Sequence, residues 1–192
     1  MDYFGLYDGH AGRIAATFCG EHVHQLLAEK LAAGAKDPSV AIADCFKEVN
    51  TKFKSFLETA DSSHKHAGTT GVAVLIHGSK VLISPMEIDF FFSHYIVNLQ
   101  LYLANVGDTR VVLNKGGKAV RLSFDHKPNS DEEEARIRAL GGFVIGETSR
   151  VNGLLAVSRS IGDFYVQIFP LPAPIGFVDR SSTYTDATFC IR

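Results

Sequence analysis

Near residue 70 the apolar residues of this chain change period, and that change constrains the fold more than any other feature. Ile42, Cys45, Phe46, Val49, Phe53, Phe56 and Leu57 recur at steps of three and four, along one stripe of a helix. Lys47, Lys52 and Lys54 fall on its other faces. From Thr70 the step becomes two. Val72, Val74 and Ile76 alternate with small or apolar neighbours, as in a strand covered on at least one side. Upstream, Ile14, Phe18, Leu26, Leu27 and Leu31 predict another helix, closing near Gly34. Downstream, Leu101–Val106 and Arg110–Leu113 read as strands, and Gly116-Gly117 signals a hairpin into Ala119–Leu122. Ser130 and Glu133 have the spacing of a capping box, which starts a short helix expected to end at Gly141-Gly142. Phe143–Ile145 and Leu154–Ser158 read as further strands. Helices, a run of antiparallel strands and another helix give an α+β fold class.

At 192 residues the chain fits one domain with a real core. A net charge of −2 offers no electrostatic case for nucleic acid or an anionic membrane as partner. Cys19, Cys45 and Cys190 are odd in number and widely spaced, which argues against a disulfide framework or a thiolate zinc site. Buried free thiols in a reducing compartment are expected, and with no leader-like N-terminus the expected location is cytoplasmic, nuclear or both. A monomer is expected.

Asp8-Gly9-His10 closes the apolar strand that begins at Tyr3. Gly9 lets the backbone pass close to whatever Asp8 holds. A carboxylate, a nearby carbonyl and a histidine suit a hard metal ion beside an acid–base group, whereas the same three residues alone also suit a solvated turn. His22 and His24 lie two apart on a helix and so make a poor ligand pair; His64 and His66 fall in a polar loop and read as solvated.

Downstream of that turn come Gly68-Thr69-Thr70-Gly71, Val106-Gly107-Asp108-Thr109-Arg110, Asp125-His126-Lys127-Pro128, Glu132–Ile137 with Gly141-Gly142, and Ser158-Arg159-Ser160-Ile161-Gly162-Asp163. In this order the blocks resemble the metal-dependent serine/threonine protein phosphatases of type 2C, from about Tyr3 to Phe164. The resemblance implies two antiparallel sheets packed face to face with helices outside. It implies hydrolysis of phosphoserine and phosphothreonine in a phosphoprotein substrate by a water activated between two Mg²⁺ or Mn²⁺ ions. By the same resemblance Asp8 is the bridging metal carboxylate, Gly9 a carbonyl ligand, His10 the general acid and Asp108 the ligand of a weaker third metal. A turn aspartate is the alternative reading of Asp108. The Asp125–Pro128 and Ser158–Asp163 blocks read as structural, a turn closure and a buried Arg–Asp network.

The chain also departs from that family. The arginine for substrate phosphate and the glutamate that precede Asp-Gly-His have no counterpart, and neither do the later Asp-Gly and Asp-Asn. One of four carboxylates of the binuclear site remains, so weak or no activity of this chain alone is expected, with a non-catalytic binding or regulatory module as the alternative. An unrelated α+β hydrolase would need a nucleophile, and no Gly-x-Ser-x-Gly elbow occurs. Residues 1–192 thus read as one partial domain with a divergent segment at 165–192. Residues 81–100 interrupt a natural hairpin between Gly71–Lys80 and Leu101–Val106 across Gly78-Ser79. They include Phe90-Phe91-Phe92 and read either as an in-frame insertion, a valine codon opening with GT and a glutamine codon closing with AG, or as a genuine hairpin extension. Their uncharged runs are far shorter than the ~20 residues of a membrane span.

Overall fold

The structure, a computed structural model, describes residues 1–77, 81–84, 93–96, 100–145, 149–166, 175–179 and 187–191. Strand β1 (Asp2–Leu6) and the two-residue β2 (Gly9–His10) lead into helices α1 (Ile14–Ala32) and α2 (Pro38–Thr59). Next come β3 (Gly68–Thr69), β4 (Gly71–His77), β5 (Val81–Ser84), β6 (Ser93–Ile96) and β7 (Gln100–Val106). Strands β8 (Val111–Lys115) and β9 (Lys118–Arg121) precede helix α3 (Asp131–Ala139). The short β10 (Val144–Ile145), β11 (Arg150–Val151) and β12 (Ile161–Gly162) follow, then β13 (Ile175–Asp179) and β14 (Ala187–Ile191).

The strands assemble into a four-stranded sheet ordered β1-β4-β7-β13 and a three-stranded sheet ordered β14-β8-β9, all pairs antiparallel. The period-two reading of β4 explains how they stack. Val72, Val74 and Ile76 point to a core shared with Val111, Leu113 and Phe189 of the second sheet. Ala73 and Leu75 point the other way, against Cys19, Val23, Cys45, Phe46 and Val49 of α1 and α2. A strand buried on both faces must sit between two layers. The α+β class expected from the sequence and the two packed sheets implied by the resemblance are therefore present, and the helix pair α1–α2 covers the four-stranded sheet. Phe4 meets Phe189 edge-on across the sheets, with ring centroids 5.2 Å apart. Across residues 78–99 the strands on either side pair directly, from Gly71 opposite Val106 to His77 opposite Gln100. Within that stretch β5 and β6 form a ladder of their own, while the Gly78-Ser79 turn and Phe90-Phe91-Phe92 lie outside the described residues.

Several local expectations hold and others are corrected. Helix α2 starts with Asp37, whose side chain accepts from the Ser39 amide at 2.9 Å, followed by Pro38 in the first turn. Phe56 leaves the buried stripe: it is 37 % exposed and lies against Phe18. Gly116 and Gly117 take φ of 56° and 82°, the left-handed pair that a two-residue hairpin needs. The capping box does not form. Ser130 Oγ donates instead to the Lys127 carbonyl, and Glu133 turns into the protein. Of the Leu154–Ser158 strand only a single bridge from Leu155 to Val151 exists; the partner of β10 is Arg150–Val151. Cys19 and Cys45 are buried free thiols, and Cys190 is half-buried and free.

Candidate active site

The chain leaves the four-stranded sheet after Leu6, and β2 joins a separate small sheet ordered β12-β3-β2. In it Gly9 lies opposite Thr69 and His10 opposite Gly68, while Ile161 lies opposite Thr69 on the other side. Three sequence blocks more than fifty residues apart thus meet on six residues of strand. Gly9 packs tightly where α1 starts: a Cβ would come 3.0 Å from Ala16 Cβ and 3.2 Å from the Gly12 carbonyl oxygen, so a larger residue would need these neighbours to give by a few tenths of an ångström.

Residue Thr70 carries this arrangement across to Asp108. Its amide donates to the Asp8 carbonyl at 3.0 Å, and its hydroxyl shares a 2.6 Å hydrogen bond with that of Thr109. Gly107, at φ 93°, packs on the Thr70 side chain so closely that a Cβ would lie 2.6 Å from it. Asp8 and Asp108 consequently line one open cleft of about 610 Å³ with Leu6, Tyr7, Thr109 and Arg110.

His10, the general acid that the resemblance implies, lies near these acids. Its Nε2 lies 2.8 Å and 2.7 Å from the two carboxylate oxygens of Asp163, a fully buried residue. A carboxylate only accepts, so the Nε2 of His10 carries the proton of this hydrogen bond. The hydrogen bond to Asp163 raises the histidine pKa above its ordinary value; burial opposes it, and the charges of Asp163, Asp8 and Asp108 add to the rise. Asp163 itself is held by its own amide, which donates to the Ala67 carbonyl at 3.1 Å. Two glycines make room. A Cβ on Gly68 would lie 2.2 Å from Asp163 Oδ2, and one on Gly162, at φ 89°, would lie 2.4 Å from the Ala67 carbonyl.

The block read as an Arg–Asp network divides in two. Arg159 pairs with Glu133 rather than with Asp163, and Glu133 also accepts from Arg136 at 2.8 Å and Ser158 Oγ at 2.5 Å. Burial pushes the Glu133 carboxyl up, but these donors outweigh it and hold the group well below the usual carboxylate range. Asp163 is the neighbour of His10 that sequence reasoning missed; the Gly162-Asp163 pair was the available signal, a glycine freeing the backbone beside an acid. On the rim, Arg110 is clamped by Asp125, with Nε 3.0 Å and 3.1 Å from its two oxygens, and Arg121 joins the same carboxylate. Lys127 Nζ lies 2.5 Å from Asp108 Oδ2. His22 and His24 bond back through Nδ1 to the Phe18 and Gly20 carbonyls of their own helix.

The sequence aligns with known proteins over this same frame. A protein phosphatase 2C family profile matches residues 1–175. The chain belongs to the protein phosphatase 2C family. It is 37 % identical over 174 residues to protein phosphatase 2C homolog 2 of Aspergillus fumigatus, covering 91 % of this chain and 35 % of that protein. It is 38 % identical over 179 residues to protein phosphatase 2C 56 of Arabidopsis thaliana, covering 90 % of this chain and 36 % of that protein. The chain therefore spans about a third of the length of the curated relatives it matches. The fold matches the crystal structure of a phosphatase from a pathogenic strain of Toxoplasma gondii with a TM-score of 0.69, at 23 % identity, over 98 % of this chain and 64 % of that one.

Protein phosphatase 2C enzymes are metal-dependent, and the cleft tests whether this chain fits Mg²⁺ or Mn²⁺. The donors are of the right kind: Asp8 and Asp108 offer hard carboxylate oxygens in one open cleft. They are few. Among the described residues no group of three or more His, Cys, Asp or Glu side chains is gathered closely enough to hold an ion.

Proposed function

We propose that this chain contributes the Asp8–His10 half of a serine/threonine phosphatase site of the 2C type, acting on phosphoserine or phosphothreonine in a protein. The observation that carries the reading is the fixed His10–Asp163 pair beside the cleft of Asp8 and Asp108. Asp8, the Gly9 carbonyl and Asp108 are the groups that would hold Mg²⁺ or Mn²⁺. Bound there, such ions supply a more acidic water and neutralise charge on the phosphoryl group.

The chain's own residues account for the proton that the reaction needs. The leaving group is a serine or threonine alkoxide, which departs only with a proton. His10 keeps Nε2 on Asp163, so Nδ1 is the atom from which a transferable proton would be given. Asp163 fixes the ring and favours the protonated form that an acid requires. With so few donors, turnover by this chain alone is low, and Asp8 is indispensable to it.

The test is phosphate release from a phosphothreonine peptide, with and without Mn²⁺. Slow release that requires Mn²⁺, disappears in Asp8→Asn, and falls about 10- to 100-fold in Asp163→Asn with Mn²⁺ binding unchanged is expected. Release indifferent to both Mn²⁺ and Asp8 would overturn the reading. Phosphopeptide binding without any release would replace it with a non-catalytic module.

A further inference from the structure

Asp8 and Asp108 line the same cleft but stand in different states. Among the described residues Asp8 has no ion-pair partner, whereas Asp108 holds the ammonium of Lys127 at 2.5 Å. Resting on the reading of Asp108 as a metal ligand, we propose that Lys127 is a tethered cation occupying that position, which must swing away before a divalent ion engages Asp108.

The backbone makes this pairing a built feature rather than a chance surface contact. The His126 amide donates to the Gly107 carbonyl at 2.9 Å, and the Gly107 amide returns a bond to His126 Nδ1 at 3.1 Å. These reciprocal bonds lock the turn that carries Asp108 onto the turn that carries Lys127. The Lys127 turn is pinned further: its amide donates to the Asp125 carbonyl, its carbonyl accepts from Ser130 through both amide and hydroxyl, and Pro128 restricts the next φ. The Lys127 Cα is therefore fixed within reach of Asp108, and only its aliphatic stem is free to move. Arg110, which lines the cleft, is drawn off by the Asp125 clamp that also holds Arg121, which leaves Asp108 to the lysine.

The strengths favour exchange. The Lys127 and Asp108 side chains are 42 % and 31 % exposed, so water screens their attraction. Lysine is a flexible point charge with one positive unit, while Mg²⁺ and Mn²⁺ bring two and accept several oxygen ligands. The carboxylate oxygen cannot serve both at full strength. Lys127 thus compensates the Asp108 charge in the ion-free state and raises the concentration of metal needed to displace it. It acts as a threshold on that position and leaves Asp8 open to bind first.

Mn²⁺ titration followed by electron paramagnetic resonance of the free ion tests this in the purified chain. It is applied to the wild type, Lys127→Met, Lys127→Gln, Lys127→Arg and Asp108→Asn, with melting curves to establish folding. Removing the ammonium is expected to tighten the Asp108-dependent class of Mn²⁺ about three- to tenfold, while Lys127→Arg, which keeps a cation, leaves it unchanged or weaker. The gain from Lys127→Met should vanish in combination with Asp108→Asn. Asp108-dependent binding that is equal or weaker in folded Lys127→Met and Lys127→Gln overturns the proposal and leaves the metal reading standing. Absence of any Asp8- or Asp108-dependent Mn²⁺ binding overturns both.

Discussion

The imidazole of His10 is anchored to both carboxylate oxygens of Asp163, a residue 153 positions further along the chain, at 2.8 Å and 2.7 Å. The small β12-β3-β2 sheet and the residue that follows it shape that pairing. Gly68 lies directly beneath the carboxylate, Gly162 turns the chain at positive φ, and the Asp163 amide is tied to Ala67. The proton-bearing residue of the site therefore owes its orientation to an acid that sequence reasoning left in the scaffold.

Gly68 is accordingly predicted to be intolerant of a methyl group. A Cβ there would sit 2.2 Å from Asp163 Oδ2 and 2.4 Å from Cγ, so the buried carboxylate must move off His10. Gly68→Ala is expected to lower unfolding free energy by about 1–3 kcal/mol, the usual cost of overpacking. Gly20 is the internal control. It lies in α1, where an added methyl group would meet nothing within 4 Å, and Gly20→Ala is expected to stabilise by roughly 0.5–1 kcal/mol through helix propensity. Urea unfolding of the two variants checks the opposite signs; equal or same-signed shifts would contradict the assignment.

Acid sensitivity is expected to come from the turn that follows β9. Burial pushes the His126 imidazole down to about 4, with the Arg159 charge adding, so the folded state prefers the neutral ring. A depressed folded pKa means that the unfolded chain binds more protons between its ordinary value near 6.5 and about 4. The stability contributed by the neutral ring is thus present above that window and lost as pH falls through it. Between pH 7 and 5 the loss attributable to His126 is about 2 kcal/mol. Glu133, also depressed, acts in the same direction at lower pH as its arginine partners lose their counter-charge. Urea melts at pH 7 and 5 check this, and His126→Asn should flatten the slope; an unchanged slope in that variant would assign the acid sensitivity elsewhere.

What was legible in the sequence follows a physical division. Period and turn chemistry are local, so the α2 stripe, the alternation of β4 and the Gly116-Gly117 hairpin could be read directly. Choice among chemically equivalent partners is not local. Arg159 had both Asp163 and Glu133 within reach of a plausible network, and the approach of α3 decided for Glu133. The same choice removed Glu133 from its capping box with Ser130, since one carboxylate could not serve the helix start and the three donors Arg136, Ser158 and Arg159 together. Of the candidate site, Asp8, Gly9, His10 and Asp108 were named through resemblance, and the cleft brings Asp8 and Asp108 together. Asp163 and Lys127 were not, because each is defined by a contact that only the folded chain creates.

One pair of buried hydroxyls joins the Asp8 and Asp108 segments. Thr70 Oγ1 and Thr109 Oγ1 are 2.6 Å apart in a site where both residues are almost fully buried. Thr70→Val keeps the shape that Gly107 packs against but leaves the Thr109 hydroxyl without this partner, and Thr109→Val does the converse. Each single change is expected to cost about 1–2 kcal/mol, because an orphaned buried hydroxyl carries its full desolvation penalty. Removing both hydroxyls together removes the orphan, so the double variant should cost less than the two singles combined. The same cycle has a functional reading. Thr70 also donates its amide to Asp8, so loosening its side chain relaxes Asp108 relative to a fixed Asp8. Asp108-dependent Mn²⁺ binding should weaken in either single variant and recover partly in the double. Strict additivity in both stability and Mn²⁺ binding would show that the two hydroxyls act independently and that another contact aligns the acids.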